Sequence, residues 1–356
     1  MNLSQCLLYR DIDELSTMAD LYDCMCNRNS KLDLVQSLHF QMFNKDYCRQ
    51  LFTKLDKELL YYSTYILFQP TRFFTINQLV ALGKELTQRF SLEEGTSRKW
   101  VLQLMKQGWL FPHHTLYQTQ LVIPSDLLTF LREQLSLYWL EQIPVEMNQE
   151  GLSKGYVDEG EAMLTDLLFF LKEVLKEPLP LTIEGCLYKN YQKKLFKQFQ
   201  VAETVLTEQR YRFGYGRRFP NYPDRFALIY DYCFSKQYIL EQDAFLSITH
   251  LGESFIHHYH PQQSTELRQE LVKFWLKTYK YPIPNLPFIY TFLSELIHGR
   301  VLNTADLFTL LSLWIHPYYF DDQETVYRQR ILKMMLHLGL IRISFDQQYV
   351  TLKNSL

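Results

Sequence analysis

The sequence predicts a mainly α-helical fold with short β-hairpins, organised as tandem winged-helix (helix-turn-helix) units. Three observations carry this. Glycine is scarce, 12 of 356 residues, about half the usual share of ~7%. Long Leu-, Phe- and Tyr-rich runs with helical spacing are punctuated by only 13 prolines. And one pattern occurs twice, near each end of the chain: helices, a glycine stop, an apolar strand, a turn and a second strand. At 356 residues the chain exceeds one ordinary core, so several units are expected.

Residues 1–53 read as a helical, SAP-like N-terminal module. Asp11 to Leu15 starts one helix, and Ser30-Lys31 opens another over Asp33 to Phe43, with a Lys31-x-x-Leu34-Val35-x-x-Leu38 pattern. The alternative is a helical cap on the next unit. Residues 54–142 form the first winged-helix unit. Leu55 to Phe68 is helical and ends before Pro70. Thr75 caps a helix through Arg89, with Leu79, Leu82 and Leu86 on one face. Thr96-Ser97 opens a third, with Trp100, Val101, Leu104 and Met105 inward, and Gly108 stops it. Trp109-Leu110-Phe111 and Tyr117 to Ile123 are then two strands of a hairpin. Residues 143–180 read as a polar linker or exposed loop, with three glycines between Ile143 and Gly160, followed by a helix from Asp166 to Lys176 that Pro178 and Pro180 break.

Residues 181–262 hold a basic helix, an Arg-rich loop and a degenerate second unit over 224–260, where Ile229, Cys233 and Phe234 face inward and Gln237 stands where the other units have glycine. Residues 263–356 hold the third unit. Thr265 to Lys280 and Phe288 to Ile297 are helical, Asn303-Thr304 caps a helix through Ile315, and Glu324 to Leu338 ends at Gly339. Placing Gly108 on Gly339 puts Trp100 and Val101 on Ile331 and Leu332, Leu104 and Met105 on Met335 and Leu336, and Leu121 on Leu352 without a gap.

Motifs of catalysis are missing. There is no G-x-x-x-x-G-K-[ST] loop, no G-x-S-x-G elbow and no H-E-x-x-H, and Gly214-Tyr215-Gly216 lacks the third glycine of a dinucleotide fingerprint. The chain reads as non-enzymatic, with no catalytic residue, cofactor or metal site. His257, His258 and His260 have metal-ligand chemistry, but no Cys or carboxylate pattern completes a set, and a helix C-terminus suits imidazole equally. Cys24-x-Cys26 is too closely spaced for a zinc knuckle. Asp158, Glu159 and Glu161 read as a solvated charge run. Six cysteines in so long a chain do not make a disulfide framework, the first residues meet charge too soon for a signal peptide, and no window approaches 18 uncharged apolar residues. The expected location is cytoplasmic, away from membranes.

Charge departs from the average in one place. From Lys189 to Arg218 there are eight Lys or Arg and two Glu, which leaves 29 basic and 37 acidic residues elsewhere, a net of −8. Any nucleic-acid contact must therefore be local. At 100° per residue, Leu187, Tyr191, Leu195 and Phe199 share one sector, and Lys189, Lys193, Lys194 and Lys197 fill the opposite one. Arg210, Arg212, Arg217 and Arg218 come next, interleaved with Tyr211, Phe213, Tyr215 and Phe219. Guanidinium groups pair with phosphate and the rings can stack on bases. These eight cations are the expected nucleic-acid-binding residues. The alternative is a solvated lysine face and an Arg/Tyr loop packed on an acidic neighbour.

The SAP-like start, "LMKQGWLF…LVIPSDLLTFL", "LPLTIEGCLYKNYQKKLFKQF" and the closing "LGLIRISFDQQYVTL" together resemble bacterial helicase-associated proteins with an XPB-helicase N-terminal-like domain. The chain has no motor motif, so the resemblance implies a DNA-binding or accessory role beside DNA or a helicase, not unwinding. The departure is at Gln237. The other expectation is a protein–protein interaction scaffold of tandem winged helices without nucleic-acid contact.

Overall fold

A computed structural model describes residues 1–114, 119–143, 153–206 and 216–353. It is mainly helical with small antiparallel sheets, and the chain divides into two compact units. Among the described residues no helix is long and apolar enough to cross a membrane.

Unit 1 comprises Met1–Pro144 with Thr291–Leu296. Five of its helices begin where the sequence supplies a capping oxygen. After α1 (Leu3–Leu8), the Asp11 side chain accepts from the Glu14 N–H to open α2 (Ile12–Leu21), Ser30 accepts from Asp33 at α3 (Lys31–Met42), and Asn44 from Tyr47 at α4 (Lys45–Lys54). Then come α5 (Lys57–Leu67), β1 (Phe73–Phe74) and α6 (Ile76–Arg89), where Thr75 and Gln78 cap each other's backbone. Next are α7 (Thr96–Lys106), β2 (Phe111–His114), β3 (Thr119–Val122) and α8 (Ser125–Leu140). The sheet runs β1-β3-β2. Residues 1–53 pack into the same unit: the buried Tyr22 hydroxyl donates to the Gln107 carbonyl at the end of α7, 2.8 Å away. Leu82, expected to face inward, is only half-buried. Gly83 beside it is buried because α7 approaches so closely there that a Cβ would lie 2.6 Å from the Ser97 Cβ. Tyr117 lies outside the described residues.

Unit 2 comprises Val145–Tyr290 with Ile297–Leu356. Its elements are β4 (Tyr156–Val157), α9 (Ala162–Lys176), β5 (Leu179–Pro180), α10 (Lys189–Gln198), α11 (Asp224–Ser235), β6 (Ile239–Gln242), β7 (Phe245–Ile248), α12 (His250–His258) and α13 (Ser264–Tyr279). Beyond these lie α14 (Leu286–Leu296), whose residues are shared between the two units, β8 (Val301–Asn303) and α15 (Thr304–Leu311). Residues 323–337 form one helical rod, α16, whose middle, Val326–Leu332, is π-helical. The chain closes with β9 (Ile341–Ser344) and β10 (Tyr349–Leu352). The sheets run β5-β7-β6 and β4-β9-β10-β8.

The order helix, strand, helix, helix, hairpin therefore occurs three times, each time with the last strand of the hairpin paired to the lone strand. The junction from third helix to hairpin is the same in each. Gly108, Gln237 and Gly339 have φ of 68, 57 and 66°. The next N–H reaches back five residues, Trp109 to Leu104, Tyr238 to Cys233 and Leu340 to Met335, at 3.0, 2.9 and 3.0 Å. The middle occurrence begins at α9, earlier than its third helix at Asp224 implied. The two outer hairpins do not superpose residue for residue. Leu121 pairs with Pro112, four residues after Gly108, whereas Leu352 pairs with Ile341, two after Gly339, so the gapless correspondence stops at the strands. The α15 helix ends at Leu311 and continues to Trp314 as a 3-10 turn.

Residues 144–152 of the expected linker lie outside the described part. The rest of it is structured: β4 pairs with β9, and Glu159 is half-buried and paired with His337 and Arg225 rather than solvated. Its neighbour Asp158 pairs with Arg342.

Candidate nucleic-acid interface

The lysine helix is held by its apolar side. Leu181 and Leu187 bridge across a tight turn in which Gly185 takes φ 74°. The Leu187 N–H then donates to the Tyr222 hydroxyl, and the Gln192 amide returns to the Leu187 carbonyl, both at 2.8 Å. Leu195 and Phe196 are buried, and Phe196 meets Phe226 and Phe199 in an aromatic cluster with centroids 5.0 and 5.6 Å apart. The buried side is thus Gln192, Leu195, Phe196 and Phe199. Leu187 precedes the helix and Tyr191 is only half-buried, so the apolar sector is rotated from the expected one. Opposite it, Lys189, Lys193, Lys194 and Lys197 are all exposed. Lys194 lies 5.5 Å from the Tyr191 ring centre, and among the described residues none of the four forms an ion pair.

The arginines are placed differently. Arg210 and Arg212 lie outside the described residues. Arg217 grips Glu241 through two hydrogen bonds of 2.8 and 2.9 Å, and its guanidinium lies 4.0 Å over the Phe234 ring. Arg218 donates to Glu241 at 2.6 Å and to the Glu184 carbonyl at 2.8 Å. Tyr230 adds a third donor to Glu241. Burial works to raise the Glu241 carboxyl, but hydrogen bonds from Arg217 and Tyr230 and the charge of Arg218 outweigh it and hold the group below its ordinary range. These two arginines tie residues 216–218 to the β6–β7 hairpin and are not free cations.

Where the chain leaves the lysine helix lies a second charged cluster. Arg225 on α11, 2% exposed, meets Asp166 on α9 at 2.6 Å, Glu203 at 3.2 Å and Glu159 at 3.8 Å. Glu159 in turn pairs with His337 on α16 at 2.8 Å. Asp166 also accepts the Gln200 N–H at 2.7 Å, which pins the chain as it leaves α10. Burial pushes Glu203 up to about 7 despite Arg225, and lowers His337 despite Glu159. Asp231, buried beneath Arg217, is pushed up to about 6 by burial, with the Arg217 N–H opposing.

His257 and His258 end α12, where the Ser254 carbonyl lies 2.8 Å from His258 Nδ1, and His260 opens the short turn after it. Among the described residues no group of His, Cys, Asp and Glu could hold a metal ion. All six cysteines are free, and burial pushes Cys48 up to about 12 and Cys6 and Cys24 to about 11.

One basic surface escaped the sequence reading. Helix α7 exposes Arg98, Lys99 and Lys106 beside Leu102 and Gln103. Glu93 and Glu94, just before its start, cut the net charge of residues 93–106 from +3 to +1. The signal was the absence of any acid between Thr96 and Lys106, combined with the inward spacing of Trp100, Val101 and Leu104.

No family model, no curated protein and no solved structure matches this chain.

Proposed function

We propose that this chain is a non-catalytic, DNA-binding accessory protein of helicase-associated type, built of tandem winged-helix units, and that the lysine sector of α10 contacts the phosphate backbone. One observation carries the reading. Four lysines share an exposed sector about 140° wide with no carboxylate partner among the described residues, while Arg217 and Arg218 are both paired with Glu241. The thrice-recurring helix–strand–helix–helix–hairpin order supports winged-helix units. In this order α10 is the second helix of its repeat, the position that crosses the DNA backbone in helix-turn-helix docking. The resemblance to XPB-type N-terminal domains supports a helicase as the neighbouring partner.

Anisotropy of a labelled duplex, titrated with the chain across a salt series, tests this. The expected log–log slope is negative, and changing Lys189, Lys193, Lys194 and Lys197 to Gln flattens it by about four. No binding at ~50 mM salt, or a slope that the variant leaves unchanged, refutes the reading. The pairing of Arg217 and Arg218 with Glu241 favours a second reading, an interaction scaffold whose charges serve packing. It predicts no salt-dependent DNA binding at all.

A further inference from the structure

We infer that α7 is the helix by which this chain enters the major groove of duplex DNA. The inference rests on the DNA-binding reading above and adds a second, separate surface to it, on the other compact unit.

The three third helices of the repeats differ in what they leave free. In α11 every residue from Arg225 to Cys233 is buried. In α16 Val326, Tyr327, Ile331, Leu332, Met334, Met335 and His337 are buried, and the exposed positions are Glu324, Gln329 and Lys333. Helix α11 thus offers no exposed face along that run, and the exposed positions of α16 set one acid against one cation. Helix α7 buries only Ser97, Trp100, Val101 and Leu104. At 100° per residue its exposed Arg98, Leu102, Lys106, Lys99 and Gln103 span about 140°, centred opposite the buried side.

The chemistry of that sector suits duplex DNA. It carries three cations and no acid, and among the described residues none of Arg98, Lys99 and Lys106 is ion-paired. Arg98 is the type of side chain that grips guanine O6 and N7, Gln103 the type that pairs with adenine N6 and N7, and Leu102 can meet a thymine methyl. The two lysines flank them as phosphate contacts. Eleven residues make a rod of about 16 Å, and a groove about 12 Å wide admits one helix. The seat is rigid: Gly83 allows α6 to close on Ser97, and the Tyr62 hydroxyl, which donates to the Leu79 carbonyl at 2.9 Å, fixes α6 against α5. Exposed Lys84 on α6 adds a cation of the same sign.

The test uses the full chain, a labelled 20-base-pair duplex and a single strand of the same length. The variant carries Arg98→Gln, Lys99→Gln and Lys106→Gln, all at exposed positions, with its fold checked by circular dichroism. Duplex affinity should fall about tenfold or more at ~50 mM salt, the salt slope should flatten by about three, and the preference for duplex over single strand should shrink. A variant that binds duplex like the parent, while the α10 lysine variant binds more weakly, overturns this inference and leaves the DNA-binding reading standing. A parent chain that binds neither probe overturns both.

Discussion

Replacing Glu203 by Gln isolates one member of the buried cluster around Arg225. Burial raises the Glu203 carboxyl from its ordinary value of 4.5 to about 7, against the pull of Arg225 at 3.2 Å. A carboxylic acid raised in this way holds its proton more tightly in the folded chain than in the unfolded one. Its contribution to stability is therefore complete below about pH 4.5 and is lost as pH rises through about 7. At about 1.4 kcal/mol per tenfold difference in proton affinity, the loss is about 3 kcal/mol. The amide of the Glu203→Gln variant carries no titratable proton, so this part of the pH dependence disappears. Asp231 is raised in the same direction and is common to both proteins. His337 is lowered and acts oppositely: its contribution is present above about pH 6.5 and is lost as pH falls below that. Arg225 keeps Asp166 at 2.6 Å in the variant, so no unpaired buried cation is created. Urea unfolding at pH 5 and pH 8, with hydrogen exchange of the α11 amides as the local readout of unit 2, gives the comparison. The parent should lose about 2.5 kcal/mol more than the variant between the two pH values, and at pH 8 the variant should equal or exceed it. An identical pH dependence in the two proteins would show that Glu203 does not titrate in this range, and would refute the argument from burial.

Two further outcomes are expected in the same unit. Glu241→Ala removes the carboxylate that holds Arg217, Arg218 and Tyr230, so the chain should lose about 2–3 kcal/mol in urea unfolding while two released guanidinium groups raise DNA affinity several-fold at low salt. Unchanged affinity would separate those arginines from nucleic-acid contact altogether. Gln237→Gly should raise stability by about 1 kcal/mol in the same assay, because Gln237 occupies φ 57° where Gly108 and Gly339 carry no Cβ penalty; a destabilised variant would mean that the Gln237 side chain supplies more than the turn costs.

Helix capping and glycine stops were legible in the chain. Asp11, Ser30, Thr75 and Asn303 act as caps because a short side-chain oxygen at that position satisfies N–H groups that no carbonyl within the helix can reach. Gly108 and Gly339 were legible for a similar reason, since a left-handed residue after a helix narrows the choice sharply. What local pattern does not encode is partnership across the fold. Arg217 and Arg218 read as a basic loop because Glu241 stands more than twenty residues downstream, and only the β6–β7 hairpin brings it back to them. Glu159 read as solvated for the same reason: its partners are Arg225 and His337. The π-helical turn of α16 and the two-residue difference in pairing register between the outer hairpins are also tertiary outcomes. Packing decides the register, and periodicity only says that the segments are apolar.

The three repeats then differ less in their plan than in how they use charge. In unit 2 one arginine of each third helix is turned to internal work. Arg225 of α11 is enclosed by Asp166, Glu203 and Glu159, and Arg330 of α16 pairs with Asp224 at the start of α11 and with Asp321. Glu159 lies between Arg225 and His337, and the Gly160 carbonyl sits so near Gly339 that a Cβ there would be 2.0 Å from it. Two helices locked together in this way support one another and surrender their outer faces. Helix α7 has the same neighbours in its own repeat, a preceding helix, a lone strand and a hairpin, but among the described residues no such partner for its charged face. A row of like charges on one face has no stabilising role within the unit and raises its self-repulsion. A polyanion laid along it removes that repulsion, which is why the free basic sectors of α7 and α10, and not the paired arginines, are where binding should be sought.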